Sequence, residues 1–166
     1  MWKTGRPKWC YDKRMIEIKA AYDNLDAIRD LFREYAQGLG IDLCFQDFEH
    51  ELDSLPGKYA EPMGRLYLAY DQDQAIACIA LRPFDEGVGE VKRLYVKPSH
   101  RGKGLSKQLA KQIIQDARNI GYKRLVLDTL NTMNPAMNLY KALGFVETEA
   151  YYPNPLEGAT YFALDL

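Results

Sequence analysis

The chain has 166 residues, of which 47% are hydrophobic and 27% are charged, and its formal net charge is -1. This composition is typical of a soluble globular protein, and the nearly neutral charge argues against nucleic acid as the main partner. No apolar run approaches the ~20 residues that a membrane helix needs, so no membrane partner is expected. The three cysteines are widely spaced and form no Cys/His cluster. We therefore expect no metal site and a cytoplasmic location, where thiols stay reduced.

Residues 1–14 are predicted to be an N-terminal extension. They are basic and include both tryptophans, Trp2 and Trp9. No apolar segment follows the basic residues, so the pattern is not that of a signal peptide. The length of the remainder suits one core, and we expect residues 15–166 to form a single domain.

Alternating and helical spacings predict the elements of the first half of the chain. Residues 15–20 alternate apolar and polar side chains, which favours a strand. Helical spacing follows from residue 25 to residue 35, after a capping Asp23 or Asn24. A second, shorter helix is predicted over residues 45–55. Two strands joined by a polar turn then form a hairpin over residues 64–70 and 75–81.

The second half alternates strands and helices. The predicted elements are a strand at 90–96, a helix at 103–120, a strand at 123–130, a helix at 134–143, and closing strands at 145–148 and 160–166. The strand at 123–130 is dense in apolar residues, as expected for a strand buried on both faces. This order predicts a mixed α/β sheet with helices on both faces.

The most informative segment is the junction between the strand at 90–96 and the next helix, which reads Arg101-Gly102-Lys103-Gly104-Leu105-Ser106. Amides of a glycine-rich loop and of a helix N-terminus converge on one point and bind phosphate there. A Walker loop needs a wider glycine spacing closed by Gly-Lys-Ser/Thr, which is absent. A dinucleotide loop needs GxGxxG, but Lys107 stands at the last glycine position.

The same loop resembles the acyl-coenzyme A motif of the GNAT acetyltransferases, Arg/Gln-x-x-Gly-x-Gly/Ala, with Ser106 replacing the small final residue. The segment from Asn134 to Phe145 is similar to a second signature of that family, an Asn-led helix ending in Leu-Tyr-x-x-x-Gly-Phe. The resemblance covers about residues 15–166. It implies the GNAT fold: a mixed, mostly antiparallel sheet of about six or seven strands, with a splayed central strand pair.

The resemblance also implies a reaction and a cofactor site. An acetyl group would pass directly from acetyl-CoA to an amine. Pyrophosphate would lie on the amides of Arg101, Gly102, Lys103, Gly104, Leu105 and Ser106. The pantetheine arm would pair with the backbone of the stretch Leu94, Tyr95 and Val96, and Asn134 would bond the same arm. Asn134 also suits helix N-capping before Pro135, and both roles are compatible.

Two catalytic residues are implied. Tyr140 resembles the general acid of the family, which protonates the departing thiolate; the alternative is a core tyrosine at helical spacing. Glu90 begins the central strand four residues before Leu94, the spacing of the base in the histone-acetylating branch. One alternative is that Glu90 is a structural carboxylate paired with a neighbouring cation. A water chain would then accept the proton of the amine.

The acceptor is predicted to be a small or amino-acid-like amine. Five acidic residues lie close together without any Lys or Arg, which suggests attraction of a cationic amine or simply a solvated face. They are Asp42, Asp47, Glu49, Glu51 and Asp53. A protein lysine or N-terminus is the second choice, and a non-catalytic acyl-CoA sensor is the rival class. Homodimers are common in the family, and the sequence leaves dimerisation open.

Overall fold

The computed structural model describes residues 16–166. The predicted extension of residues 1–14 lies outside this range. Seven strands form one mixed sheet in the order β1-β2-β3-β4-β5-β7-β6. The strands are β1 (Ile16–Ala20), β2 (Arg65–Asp71), β3 (Gln74–Asp85), β4 (Val88–Val96), β5 (Arg124–Leu130), β6 (Val146–Thr148) and β7 (Ala159–Asp165). Within these residues β4 and β5 pair in parallel and the other neighbours pair antiparallel. The predicted mixed, mostly antiparallel sheet is confirmed.

In the part of the chain that the structure describes, four α-helices connect the strands. They are α1 (Leu25–Leu39), α2 (Phe48–Asp53), α3 (Leu105–Ile120) and α4 (Asn134–Ala142). The side chain of Asn24 accepts a hydrogen bond from the amide of Ala27 at 3.3 Å, so Asn24 caps α1 as the sequence suggested. At the other end of α1, Gly40 adopts a left-handed conformation with φ 63°, which terminates the helix.

The second, shorter helix predicted over residues 45–55 is present as α2, but it covers only the middle of that range. A 3-10 turn at Cys44–Gln46 comes first, and α2 follows it. Asp47 lies between them with φ 55°, in the left-handed region. One left-handed residue breaks the hydrogen-bond ladder of a helix, and aspartate tolerates this conformation better than most side chains.

Two apolar clusters cover the two faces of the sheet. Leu109 and Ile113 of α3 pack on one face with Phe162 of β7. Phe32 of α1 and Leu52 of α2 pack on the other face. Each fully buried side chain of this size contributes about 1.5–3 kcal/mol, so the sheet is anchored from both sides.

The middle of β4 is irregular. Tyr95 pairs with Cys78 and Lys92 pairs with Ala80, so two residues of β4, Arg93 and Leu94, face one residue of β3. Arg93 is the bulge residue with a left-handed backbone, at φ 59°. Such a bulge bends its strand and increases its twist.

The bulge coincides with the separation of β4 from β5. The two strands pair only over Val88–Glu90 on one side and Arg124–Val126 on the other. Beyond Glu90 they diverge and leave a gap at the centre of the sheet. The predicted splayed strand pair is therefore present.

Candidate active site

A cleft of about 760 Å³ opens where β4 and β5 separate. Nine of the residues predicted from the sequence to form the site line it. They are Leu94, Tyr95, Val96, Arg101, Gly102, Gly104, Leu105, Ser106 and Tyr140. Lys103 and Asn134 are exposed and are not among its lining residues. The fold thus brings both sequence signatures to a single cleft.

One end of the cleft is built from the glycine loop and the start of α3. Gly102 and Gly104 both have φ 76°, and a Cβ atom on either would meet no heavy atom within 4 Å. The first amides of α3 have no acceptor within the helix, and the helix dipole adds positive potential there. This end can hold an anion against backbone groups.

Arg101 also has a structural role in this loop. Its Nε donates to the carbonyl oxygen of Val96 at 2.8 Å, and its guanidinium lies 5.6 Å from the ring centre of Tyr95. These contacts tie the end of β4 to the loop. Arg101 therefore helps to fix the geometry of the loop.

Tyr140 lies on α4 in the wall of the cleft. Its side chain packs edge-on against Phe145 at 5.7 Å between ring centres, and the residue is 7% exposed. Burial raises the pKa of the phenol, and the nearby Tyr35 and Asp128 raise it further. The hydroxyl therefore stays protonated at neutral pH, as a proton donor must.

Glu90 is buried and does not line the cleft, unlike a general base that is open to substrate. The residue is 1% exposed and is not among the lining residues of the cleft. One carboxylate oxygen accepts from Arg82 Nε at 2.7 Å, and the other accepts from the hydroxyl of Tyr151 at 2.6 Å. The ion pair with a neighbouring cation, one of the sequence alternatives, is present, with Arg82 as the cation. The role of Glu90 as a base stays a prediction, and Tyr151 is the hydroxyl that contacts its carboxylate.

Asp128 of β5 also lines the cleft, and the sequence analysis did not predict it. Its Oδ2 atom accepts from the hydroxyl of Tyr152 at 2.5 Å, and Asn154 donates to Tyr152 at 2.9 Å. Lys92 Nζ lies 3.7 Å from Oδ1 of Asp128. The sequence did contain a signal for Asp128, because it is a charged residue within the apolar run of β5. Aspartate is rarely buried in a strand unless it is paired.

The acidic segment of the sequence is only partly a charged face. Asp42, Asp47, Glu49 and Asp53 are exposed. Glu51 instead accepts from Arg93 Nε at 2.9 Å and from the hydroxyl of Tyr59 at 2.7 Å. The charge of Glu51 is therefore neutralised within the protein and does not add to an attractive field.

A second pocket of about 400 Å³ lies beside Glu51 and reaches Gln46. Gln46 Oε1 accepts from Lys92 Nζ at 3.3 Å, and its Nε2 is 3.5 Å from the hydroxyl of Tyr152. Lys92 and Tyr152 both approach Asp128 of the larger cleft. Gln46 thus stands between the two cavities.

The alternative role of Asn134 as a helix cap is wrong. Met133 occupies the cap position, Asn134 is the first residue of α4, and no side-chain cap is formed. Pro135 is therefore the second residue of the helix, where its missing amide costs no helical hydrogen bond.

Comparisons with known proteins agree with the fold and the cleft. A family model described as the acetyltransferase (GNAT) family matches residues 25–145. An uncharacterized N-acetyltransferase of Schizosaccharomyces pombe is 43% identical over 145 residues, covering 86% of this chain and 89% of that protein.

Solved structures give the same result. A GNAT-family acetyltransferase from Staphylococcus aureus superposes with a TM-score of 0.76 over 91% of this chain and 99% of that one, at 18% identity. A GNAT-family acetyltransferase from Elizabethkingia anophelis, solved with acetyl-CoA bound, is 30% identical with a TM-score of 0.54. It covers 62% of this chain and 76% of that one.

The family match and the related N-acetyltransferases define the class of the protein as an acyltransferase. The chain belongs to the GNAT acetyltransferase family, as the motifs of its sequence indicated. Residues 16–166 contain no helix long and apolar enough to span a membrane.

Proposed function

We propose that the chain transfers the acetyl group of acetyl-CoA to the primary amine of a small or amino-acid-like acceptor. The observation that carries this proposal is the arrangement of one cleft, which joins the anion-binding loop around Gly104 to the protonated hydroxyl of Tyr140. A coenzyme has its phosphates at one end and its thioester at the other. The cleft offers a matching group at each end.

The proposed chemistry is acyl transfer without an enzyme-bound intermediate. The amine nitrogen bonds to the thioester carbon while the carbon–sulfur bond breaks. Tyr140 donates its proton to the departing sulfur, and the Leu94 amide polarises the thioester carbonyl. The amine proton passes through Tyr151 to Glu90, which the 2.6 Å hydrogen bond between them supports.

The smaller pocket supports a small acceptor. Its volume of about 400 Å³ is within the range of small-molecule sites. Gln46 lines this pocket and contacts Lys92 and Tyr152, which both reach Asp128 of the cofactor cleft, so the acceptor is proposed to enter from this side. If the acceptor were a protein, only its reactive side chain or N-terminus could enter this pocket.

The test is release of coenzyme A thiol from acetyl-CoA with a panel of amines. The panel contains ethanolamine, putrescine, spermidine, tyramine, the free amino acids, and peptides with a lysine or a free N-terminus. We expect turnover with a small amine. Turnover with peptides alone would contradict the acceptor class. Coenzyme A binding without any turnover would favour the rival sensing role, and absence of binding would overturn the cofactor assignment.

A further inference from the structure

Asp128 has an incomplete set of partners. The side chain is 14% exposed. Tyr152 and Asn154 both donate to Oδ2, at 2.5 and 3.4 Å. No group of residues 16–166 donates a hydrogen bond to Oδ1, whose neighbour Lys92 Nζ lies at 3.7 Å, beyond hydrogen-bonding distance. One oxygen of a held carboxylate is therefore available to a ligand.

Of the two carboxylates in this region, Asp128 and Glu90, only Asp128 offers an available oxygen to the cleft. Asp128 lines the cofactor cleft together with Leu94 and Tyr140, whereas Glu90 does not. The negative charge of Asp128 contributes to the raised pKa of Tyr140. Both oxygens of Glu90 already accept hydrogen bonds, from Arg82 and from Tyr151.

We propose that Oδ1 of Asp128 binds the acceptor nitrogen at the thioester. This inference rests on the proposed acetyl transfer and names the group that selects an amine. When the nitrogen lone pair attacks the thioester carbon, the nitrogen becomes positively charged until it loses a proton. A carboxylate fixed beside it stabilises that charge and orients the lone pair. Tyr152 and Asn154 hold the carboxylate in place.

Lys92 is the cation that would compete for this oxygen. Its side chain is 4% exposed. Burial lowers the pKa of the Lys92 ammonium, although Glu90 and Asp128 oppose that effect. Gln46 accepts a hydrogen bond from Nζ at 3.3 Å and holds it to one side. An amine can therefore occupy the space at Oδ1 while Lys92 stays with Gln46.

The experiment uses two coenzyme A thioethers that need no knowledge of the acceptor. S-(2-aminoethyl)-coenzyme A carries an ammonium close to the sulfur, and S-(2-hydroxyethyl)-coenzyme A is its neutral match. Calorimetry with the wild-type chain should show the ammonium form binding about tenfold or more tightly, as expected for a charge-assisted hydrogen bond. Asp128→Asn should reduce this preference to about one, and Glu90→Gln should keep it.

Each outcome is decisive. Equal affinities in the wild-type chain would overturn the proposal without any variant. An unchanged preference in Asp128→Asn, or its loss in Glu90→Gln alone, would also overturn it. The hydroxyethyl analogue reports whether Asp128→Asn is folded. If neither thioether binds the wild-type chain, the coenzyme A cleft itself is wrong, which is a failure of the proposed function.

Discussion

Tyr140 combines a ring packed in the core with a hydroxyl at the cleft wall. We expect Tyr140→Phe to lower kcat about 100-fold or more with little change in the KM for acetyl-CoA, because the proton is needed only as the thiolate leaves. Steady-state thiol release measures both constants. The matched control is Tyr122→Phe, whose hydroxyl donates to the Met63 carbonyl at 2.9 Å and lies outside the cleft lining. Equal rates for both variants would return Tyr140 to a packing role.

The raised pKa of Tyr140 gives this assignment a pH dependence. An unperturbed tyrosine loses its proton near pH ~10, so an acid of that kind would lose activity there. Because the pKa is raised, the protonated form persists above that pH, and we expect wild-type turnover to show no tyrosine-like decline at ~10. A decline centred there, absent in Tyr140→Phe, would contradict the burial of the phenol.

The hydroxyl of Tyr151 donates a hydrogen bond to the carboxylate of Glu90, and we propose this pair as the route of the amine proton. We expect Glu90→Gln and Tyr151→Phe to slow turnover at neutral pH, and the double variant to be no slower than the worse single one. The losses should shrink towards pH ~10.4, where an alkyl amine arrives deprotonated. A loss that is equal at every pH would assign Glu90 to holding Arg82 instead.

At the scale of elements, the two ends of α3 form a matched pair. Gly104 precedes the helix with φ 76° and Gly121 follows it with φ 104°, and both have open space at Cβ. Gly104→Ala and Gly121→Ala should each lower the free energy of unfolding by about 1 kcal/mol. Only Gly104→Ala should weaken coenzyme A binding, by about tenfold or more, because we propose that the phosphate occupies the open space there. Calorimetry and urea denaturation measure the two effects, and equal affinities in both variants would remove the phosphate from this loop.

The elements differ in how far the sequence could predict them. The apolar spacing of α3 predicts a helix to Ile120, and the structure ends it there. The sequence predicts that the strand ends at residue 81, yet β3 continues past Pro83 to Asp85. The register shift between Pro83 and Asp85 provides the irregular position that a proline in a strand requires. Such accommodation depends on the partner strand and leaves no local pattern.

At the scale of the whole molecule, buried ion pairs join elements that are distant in the chain. Arg93, with 1% of its side chain exposed, holds Glu51 of α2 against the bulge of β4. We expect Glu51→Ala to cost about 3–5 kcal/mol, because Arg93 would remain buried without its counter-charge. Asp165→Ala is the control, since the Asp165–Arg124 pair has side chains 80% and 40% exposed. That variant should cost less than ~1 kcal/mol in urea denaturation. Similar small losses in both variants would show that Arg93 finds another partner or water.

These long-range contacts are the part of the site that the sequence could not predict. The glycine loop and Tyr140 belong to continuous motifs, so their residue types and spacing indicate them directly. The pairs Glu51–Arg93 and Glu90–Tyr151 span 42 and 61 residues. Asp128 and Tyr152 are 24 residues apart. No periodicity connects such positions, and only the strand order brings them together.

The same strand order has a consequence during synthesis. Strand β7 lies between β5 and β6, yet both of those strands leave the ribosome before it. Until β7 arrives, β5 has only the short pairing with Val88–Glu90, and the N–H and C=O groups of its other edge lack a partner strand. Bare edges of this kind pair with other chains. We therefore expect the chain to be most prone to aggregation before β7 inserts between β5 and β6.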